Sequence, residues 1–485
     1  YDPVTNMWTW IKGNSTAPTV FGTLGIPSAT NTPGGRMVPA TWVDNNGMFW
    51  MFGGALGMND LWKYDPGTNM WTWMGGSNVP NAGVYGVKGV AAATNLPPSR
   101  YETSCTWVDN NGNLWLFGGD RNGPGRLNDL WKYDIGTNMW TWMSGSNTTG
   151  QAGVYGAQGV ANSSNVPGAR TVFASWKDIS GNLWLFGGAE DGVTFLNDLW
   201  KYDIIADQWT WMNGSNVVNQ PGVYGTKCIP APGNVPGARM ENRTRWTDDC
   251  GNFWMFGGVL PGFSDLWRYT VSTNIWTWVS GSSTTNQLGS YGTQGVSSTT
   301  NYPRSRAGAL GWKDLNSNFW LFAGAEQTLN STLNDLWRYV PDRPAASFTK
   351  SSSTGCAPVT INFTSSSTPG CNEMKSHLWN FGDPGSGVNN TSSVTNPAHT
   401  YNANGTYTVT LLVTNCTGGK DSTTQTISII GTMSMTLTST QAGCISSNGT
   451  ATVNHNSGTS PYTYIWSNGQ ITQTSTALAA GNYTA

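Results

Sequence analysis

The chain has 485 residues, of which 10% are charged and 38% hydrophobic, and carries a formal net charge of -2. That balance offers no basic footprint for nucleic acid and no polybasic membrane patch, and no run of about 18 apolar residues is present to cross a bilayer. At about 100 to 200 residues per domain, the length allows two to four domains. Gly, Ser, Thr and Asn dominate beside 27 Trp and 17 Tyr. This suits short strands joined by turns, because Gly and Asn accept positive φ while aromatic rings fill pleated faces. The seven cysteines (Cys105, Cys228, Cys250, Cys356, Cys371, Cys416 and Cys444) include no CxxC and none at a zinc spacing from a histidine. Buried thiols or disulfides of an exported protein are expected, with the pairing open.

In chain order, the sequence opens on YDPVTNMWTW, without a signal-peptide pattern, so Tyr1 reads as an internal residue of a longer product. Five similar units follow. PxxR opens each one at Arg36, Arg100, Arg170, Arg239 and Arg306, and a run ending in Trp-x-Asp comes next. An apolar run then closes on glycine: FWMFGG, LWLFGG, LWLFGG, FWMFGG and FWLFAG, the last with Ala323 in the first glycine position. The segment NDLW[KR]Y follows, and then NMWTWM or a variant. The tryptophan of NDLW falls at 62, 131, 200, 267 and 337, in steps of 69, 69, 67 and 70. Each segment alternates with period two and is bounded by Gly, Asn, Asp or Pro, which predicts strands; in W-T-W both rings lie on one face. Four strands per unit describe a propeller blade.

The Gly-Gly after a hydrophobic strand, with the later Tyr and Trp, resembles Kelch repeats over residues 1–342. The period departs from the roughly 50 residues of common Kelch units. The surplus is an insert, as in AGVYGAQGVANSSNVPGAR, lying between W-T-W and the next PxxR. The fifth unit runs into PDRPAA after Tyr339 without a W-T-W strand, whereas residues 7–10 are such a strand with no unit ahead of them. Residues 6–10 are able to close a five-bladed ring. Tyr1-Asp2-Pro3 also copies the end of a third strand, however, which favours part of a six- or seven-bladed ring.

Residues 343–431 contain VTINFTSSS, WNFGDPG and NPAHTYNANGTYTVTLLVTN, and resemble a PKD domain, an Ig-like β-sandwich with Trp379 and Phe381 on one core-facing strand face. Residues 432–485 end in SPYTYIWSNGQITQTSTALAAGNYTA, which resembles the SprB repeat and stops after Tyr483, where another strand is expected. The fold class is therefore all-β, a Kelch-like propeller followed by Ig-like sandwich modules. The SprB resemblance implies a cell-surface adhesin of gliding Bacteroidota, exported by type IX secretion, located outside the bacterial cell.

Candidate chemistry is sparse. Galactose oxidase also uses a Kelch-type propeller, but its kind of copper site needs histidine with tyrosine, and His377, His399 and His455 all lie outside the five units. Ser/His/Asp catalysis lacks a histidine there too, Cys228 and Cys250 lack a base, and adjacent Glu190 and Asp191 read as solvated turn charges. The repeated Asp60, Asp129, Asp198, Asp265 and Asp335 read as turn caps, and the repeated arginines as packing over Trp or bridging blades. His399 belongs to the PKD hallmark as a structural histidine. No cofactor is expected, although Asp383 leaves calcium open by analogy with PKD relatives.

The units diverge most between Gly-Gly and Asn-Asp: ALGM, DRNGPGRL, AEDGVTFL, VLPGF and AEQTLNSTL. These loops should share a face with the inserts, and they make Asp120, Arg121, Arg126, Glu190, Asp191 and Glu326 the candidate ligand-binding residues. The expected function is non-catalytic and adhesin-like, with glycan or surface protein as partner, no nucleic acid and no membrane insertion, and self-assembly left open. The alternatives are accessory modules of a secreted polysaccharide- or protein-degrading enzyme, or a subunit of a surface filament.

Overall fold

In the computed structural model, all residues are described except 1–6, 8, 15–17, 55–56, 103–105, 122–124, 242–243, 260, 327–330 and 459. Cys105, Tyr1-Asp2-Pro3, Trp8 and the middle of two of the divergent loops thus lie outside the described residues. The chain divides into two compact units, Tyr1–Val340 and Pro341–Ala485.

The first unit is a series of antiparallel meanders, one per repeat. Blade 1 comprises Ala40–Val43, Phe49–Phe52, Leu61–Asp65 and Met70–Gly75, hydrogen-bonded in that order. Blade 3 (Ala174–Lys177, Leu183–Ala189, Phe195–Asp203, Gln208–Asn213) and blade 4 (Arg245–Thr247, Phe253–Phe256, Asp265–Thr270, Ile275–Gly281) repeat it. Blade 2 adds a short strand, Arg100–Tyr101, to Thr106–Val108, Leu114–Arg121, Arg126–Asp134 and Met139–Ser144. Blade 5 has only Leu310–Lys313, Phe319–Phe322 and Leu336–Tyr339 in its sheet, as the missing W-T-W predicts. No fourth strand pairs with Leu336–Tyr339 among the described residues, and Asn6 and Trp8 of the expected closing strand lie outside them.

Alternation along each strand supplies both faces of each blade with apolar side chains, and facing blades bury them against one another. Trp42, Trp50, Phe52 and Leu61 of blade 1 pack on Leu114, Leu116, Trp131 and Trp140 of blade 2, and equivalent clusters fill the next two junctions. First strands of successive blades are neighbours, tied by indole-to-carbonyl bonds such as Trp42 Nε1 to Trp115 O at 3.0 Å and Trp107 Nε1 to Trp176 O at 2.8 Å. The Gly-Gly pair closes each junction. Gly118 adopts φ +57, and a Cβ there would stand 2.8 Å from Arg170 O, while the Gly119 N–H donates to that same carbonyl at 3.0 Å. Only glycine combines this backbone conformation with that approach.

The inserts begin beside the divergent hairpin of the preceding blade, where Gly150 N donates to Arg126 O at 2.8 Å, but then run along the outer strand of the following blade instead of projecting from one face. Gly89 and Gly159 donate to Trp142 O and Trp211 O, and Asn95 and Asn165 Nδ2 donate to Trp140 O and Trp209 O. Each insert thereby occupies an edge that would otherwise expose unpaired backbone groups.

In the second unit, Phe348–Lys350, Val359–Ser365 and Ala398–Tyr401 form one sheet, and Thr354–Cys356, Lys420–Ile430, Gly405–Asn415, Met374–Asn380 and Thr391–Ser392 form the other. Trp379, Phe381, Tyr401, Val409 and Leu411 are buried in the shared core. Ser434–Thr440, Gly449–Ser457 and Thr474–Leu478 make a further three-stranded sheet. Cys228, Cys250, Cys371 and Cys416 are in disulfides, whereas Cys356 and Cys444 are exposed free thiols. Among the described residues no helix is long and apolar enough to cross a membrane.

Candidate functional site

The repeated charges are structural, by a different route from turn capping. Arg170 Nη1 and Nη2 donate to Asp198 Oδ1 and Oδ2 at 2.6 and 2.8 Å, and Nη1 also reaches Gly187 O at 3.0 Å. Asp198 Oδ2 further accepts from Trp200 Nε1 at 2.7 Å and from the Tyr155 hydroxyl, supplied by the insert, at 2.8 Å. Arg36–Asp60, Arg100–Asp129, Arg239–Asp265 and Arg306–Asp335 repeat the bidentate pair. Burial, and then the adjacent Asp198, push the Tyr155 phenol up, so it stays a donor. The VYG tyrosine was the missed member. Its signal is recurrence at the same period as the aspartate it meets.

Turn capping belongs to the other repeated aspartate, that of Trp-x-Asp. Asp178 Oδ1 accepts the Ser180 and Asn182 N–H groups at 2.9 Å each, and Oδ2 accepts Trp184 Nε1 at 2.9 Å. Both sets of carboxylates are committed within the blades, whereas the divergent hairpins carry charges that differ from one repeat to the next.

There the structure alters the predicted loops. In blade 2 the second and third strands extend through them, so Asp120 and Arg121 end one strand, Arg126 starts the next, and Asp120 faces Arg126 across the pair. Arg126 Nε lies 3.8 Å from Asp120 Oδ2, both side chains partly exposed. Burial raises the Asp120 carboxyl, and Arg126 opposes it. Tyr101 pairs with the Asp120 position, and that carboxylate, then burial, raises its phenol. In blade 3, Asp191 Oδ1 accepts Val193 N and Thr194 N at 2.8 and 2.6 Å; these bonds hold its carboxyl below the usual range, with Arg126 as a lesser contributor. Burial raises Glu190, against the pull of Arg170. The hairpins of blades 2 and 3 thus bring Tyr101, Asp120, Arg126 and Asp191 into one electrostatic neighbourhood. Glu326 is not part of it: it is buried in blade 5, its Oε2 3.8 Å from Arg304 Nη2.

A cleft of about 570 Å³ lies between the end of the blade 3 outer strand and the next insert, lined by Gln158, Asn213, Gln220, Asn234, Thr273 and Asn274. Its amide groups suit neutral hydroxylated ligands. In the PKD sandwich, His399 Nε2 lies 3.1 Å from Asp383 Oδ2 and its ring stacks on Phe381 at 4.4 Å. Both residues are thus committed to the core edge, and among the described residues no three His, Cys, Asp or Glu side chains converge as metal ligands.

The model of the KLHDC2/KLHL20/DRC7 Kelch-repeats domain matches residues 86–223, and that of the PKD domain matches residues 341–430. The chain joins a Kelch-repeat propeller to a PKD domain. Among solved structures, the PKD1 domain of the Vibrio cholerae metalloprotease PrtV is 28% identical over 18% of this chain and 98% of its own, with a TM-score of 0.16. The PKD1 domain of Vibrio anguillarum Epp is 27% identical over 19% and 96%, with a TM-score of 0.16. A fungal alcohol oxidase of the AA5 family, in complex with copper, is 12% identical over 81% and 85%, with a TM-score of 0.36. No curated protein matches the chain. The Kelch blades account for the repeated network, and the PKD residues for the sandwich core.

Proposed function

We propose that this Kelch-PKD chain is a non-catalytic, extracellular, adhesin-like protein whose blades 2 and 3 present a binding face for a glycan or a surface protein. The carrying observation is the division of charge. The repeated Arg–Asp pairs are buried inside the blades, whereas Asp120, Arg126 and Asp191, where the repeats diverge, stand on the hairpin rim. Carboxylates beside an aromatic ring suit sugar hydroxyls or a basic protein patch. Four disulfide-bonded cysteines fit an oxidising compartment. The SprB-type segment, with Trp466 buried and its Nε1 bonded to Thr472 O at 2.8 Å, fits a bacterial cell-surface location.

The test is binding of the full chain to a glycan array and to intact bacterial and host cell surfaces, alongside Asp120→Asn/Asp191→Asn. A loss of about tenfold or more in the double variant is expected, the scale of about 1.4 kcal/mol. Binding to none of these surfaces, or binding untouched by the double substitution, sinks the proposal.

A further inference from the structure

The cleft beside the blade 3 outer strand holds about 570 Å³, within the range of roughly 300–1,000 Å³ that small-ligand sites occupy. Its walls are the end of that strand, the insert ahead of blade 4 and the turn before the blade 4 outer strand, and none of the described residues lining it is charged. The preceding junction is built differently. Between blades 2 and 3, Lys88 Nζ donates to Gly145 O at 2.8 Å; burial lowers its ammonium, and Asp207 in the turn of blade 3 opposes that shift. Between blades 3 and 4 the same two positions carry Gln158, whose Nε2 makes the equivalent bond to Gly214 O at 3.2 Å, and Asn274. Both members of a charged pair are thus replaced together by amides.

Asn213 adds a third amide where blades 1, 2 and 4 have Gly75, Ser144 and Ser280. Its Nδ2 reaches Asn274 O at 3.0 Å and Asn274 Oδ1 at 3.2 Å, and Asn274 Nδ2 returns a bond to Met212 O at 2.9 Å. This clasp fixes one wall. On the other, Val223 and Val235 exchange both backbone bonds at 2.8 and 2.9 Å, and the blade 3 outer strand is already paired through Gly159 N to Trp211 O at 2.7 Å. The backbone of these walls is therefore committed, which leaves recognition to side chains. Gln158 and Gln220 each use Nε2 on a backbone carbonyl, and among the described residues their Oε1 atoms and Thr273 Oγ1 have no protein partner. Met212, Pro221, Val223 and Ile275 add apolar surface to the same cleft.

We propose that this cleft binds an uncharged sugar unit, whose hydroxyls donate to Gln158 Oε1 and Gln220 Oε1 and bond Thr273 Oγ1, and whose C–H face lies on Pro221 and Val223. Amide oxygens accept what sugar hydroxyls donate, and the Thr273 hydroxyl serves in either sense. A charged ligand would give up its hydration here without meeting an opposite charge, at a cost that a neutral one avoids. The cleft contains none of Asp120, Arg126 and Asp191, so it adds a neutral subsite to the charged hairpin rim, and each can fail without the other.

Titration calorimetry of the full chain with maltose, cellobiose, lactose and N,N′-diacetylchitobiose, and with digalacturonate as the anionic counterpart, tests this. At least one neutral disaccharide should bind, about tenfold or more tighter than digalacturonate. Gln158→Lys/Asn213→Ser/Asn274→Asp copies the junction between blades 2 and 3, so it should keep the circular dichroism of the parent while weakening that binding about tenfold or more. Gln220→Ala removes a side chain whose bond among the described residues is to Val218 O, and should weaken binding several-fold with the fold intact. Asp120→Asn/Asp191→Asn should leave disaccharide binding unchanged, which separates this subsite from the rim. The inference is overturned if no neutral disaccharide binds, if digalacturonate binds as tightly, or if the folded triple variant keeps its affinity. Should the triple variant misfold, Gln220→Ala decides alone, and unchanged binding there overturns the assignment. Loss of disaccharide binding in the rim variant would equally overturn it.

Discussion

Tyr155 and Phe21 occupy the same position of the repeat and differ by one hydroxyl. Phe21 stacks on Trp62 at 5.5 Å and leaves Asp60 to Arg36 and Trp62, while Tyr155 adds a bond to Asp198. Tyr155→Phe should therefore cost about 1.5–3 kcal/mol, the contribution of a hydrogen bond to a charged group. Arg170→Met removes the paired cation from a fully buried carboxylate and should cost about 3–5 kcal/mol. Urea unfolding of both variants measures the difference, and equal losses would contradict the assigned hierarchy. Both repeated charges were legible in the sequence, but their pairing was not. Each unit repeats one aspartate in Trp-x-Asp and another in NDLW, Asp178 and Asp198 in the third, and only the fold shows that the one 28 residues away meets Arg170.

A blade owes its register to Gly-Gly, W-T-W and the Trp-x-Asp turn, all of which stand out in the sequence as period-two segments with their bounding turns. The divergent hairpins were less legible, because DRNGPGRL has loop composition, yet strand pairing extends through Asp120 and Arg126 once the preceding residues set the register. At this scale blade 5 is the acid-sensitive element. Burial pushes the Asp335 carboxyl up, but hydrogen bonds from Arg306 and Trp337 outweigh it and hold it at about 2, against 3.8 for a free carboxyl. A lowered folded-state value means the stabilisation is complete above 3.8 and is lost as pH falls from there towards 2. Protection factors for hydrogen exchange at residues 336–339, taken against the intrinsic rate at each pH, should fall across that window, and Asp335→Asn should remove that dependence. Protection factors that are flat from pH 5 to about 2 would refute the assignment.

At the scale of the whole chain, the repeat aligned itself five times and so exposed the blade organisation, whereas ring closure depends on surfaces that no local pattern encodes. The two units have separate cores: the blade clusters draw on residues before 340, and the sandwich cluster gathers around Trp379. Only Trp379 and Trp466 of the 27 tryptophans lie after residue 340, so indole fluorescence reports the blades, while exchange at Val409 and Leu411 reports the sandwich. Urea should therefore give two transitions that differ between these probes. Each unit carries disulfide-bonded cysteines, Cys228 and Cys250 in one, Cys371 and Cys416 in the other. Opening a disulfide frees the unfolded chain, commonly by about 2–5 kcal/mol, so reductant should lower both midpoints. Coincident transitions by both probes, with and without reductant, would show one cooperative body where the separate cores require two.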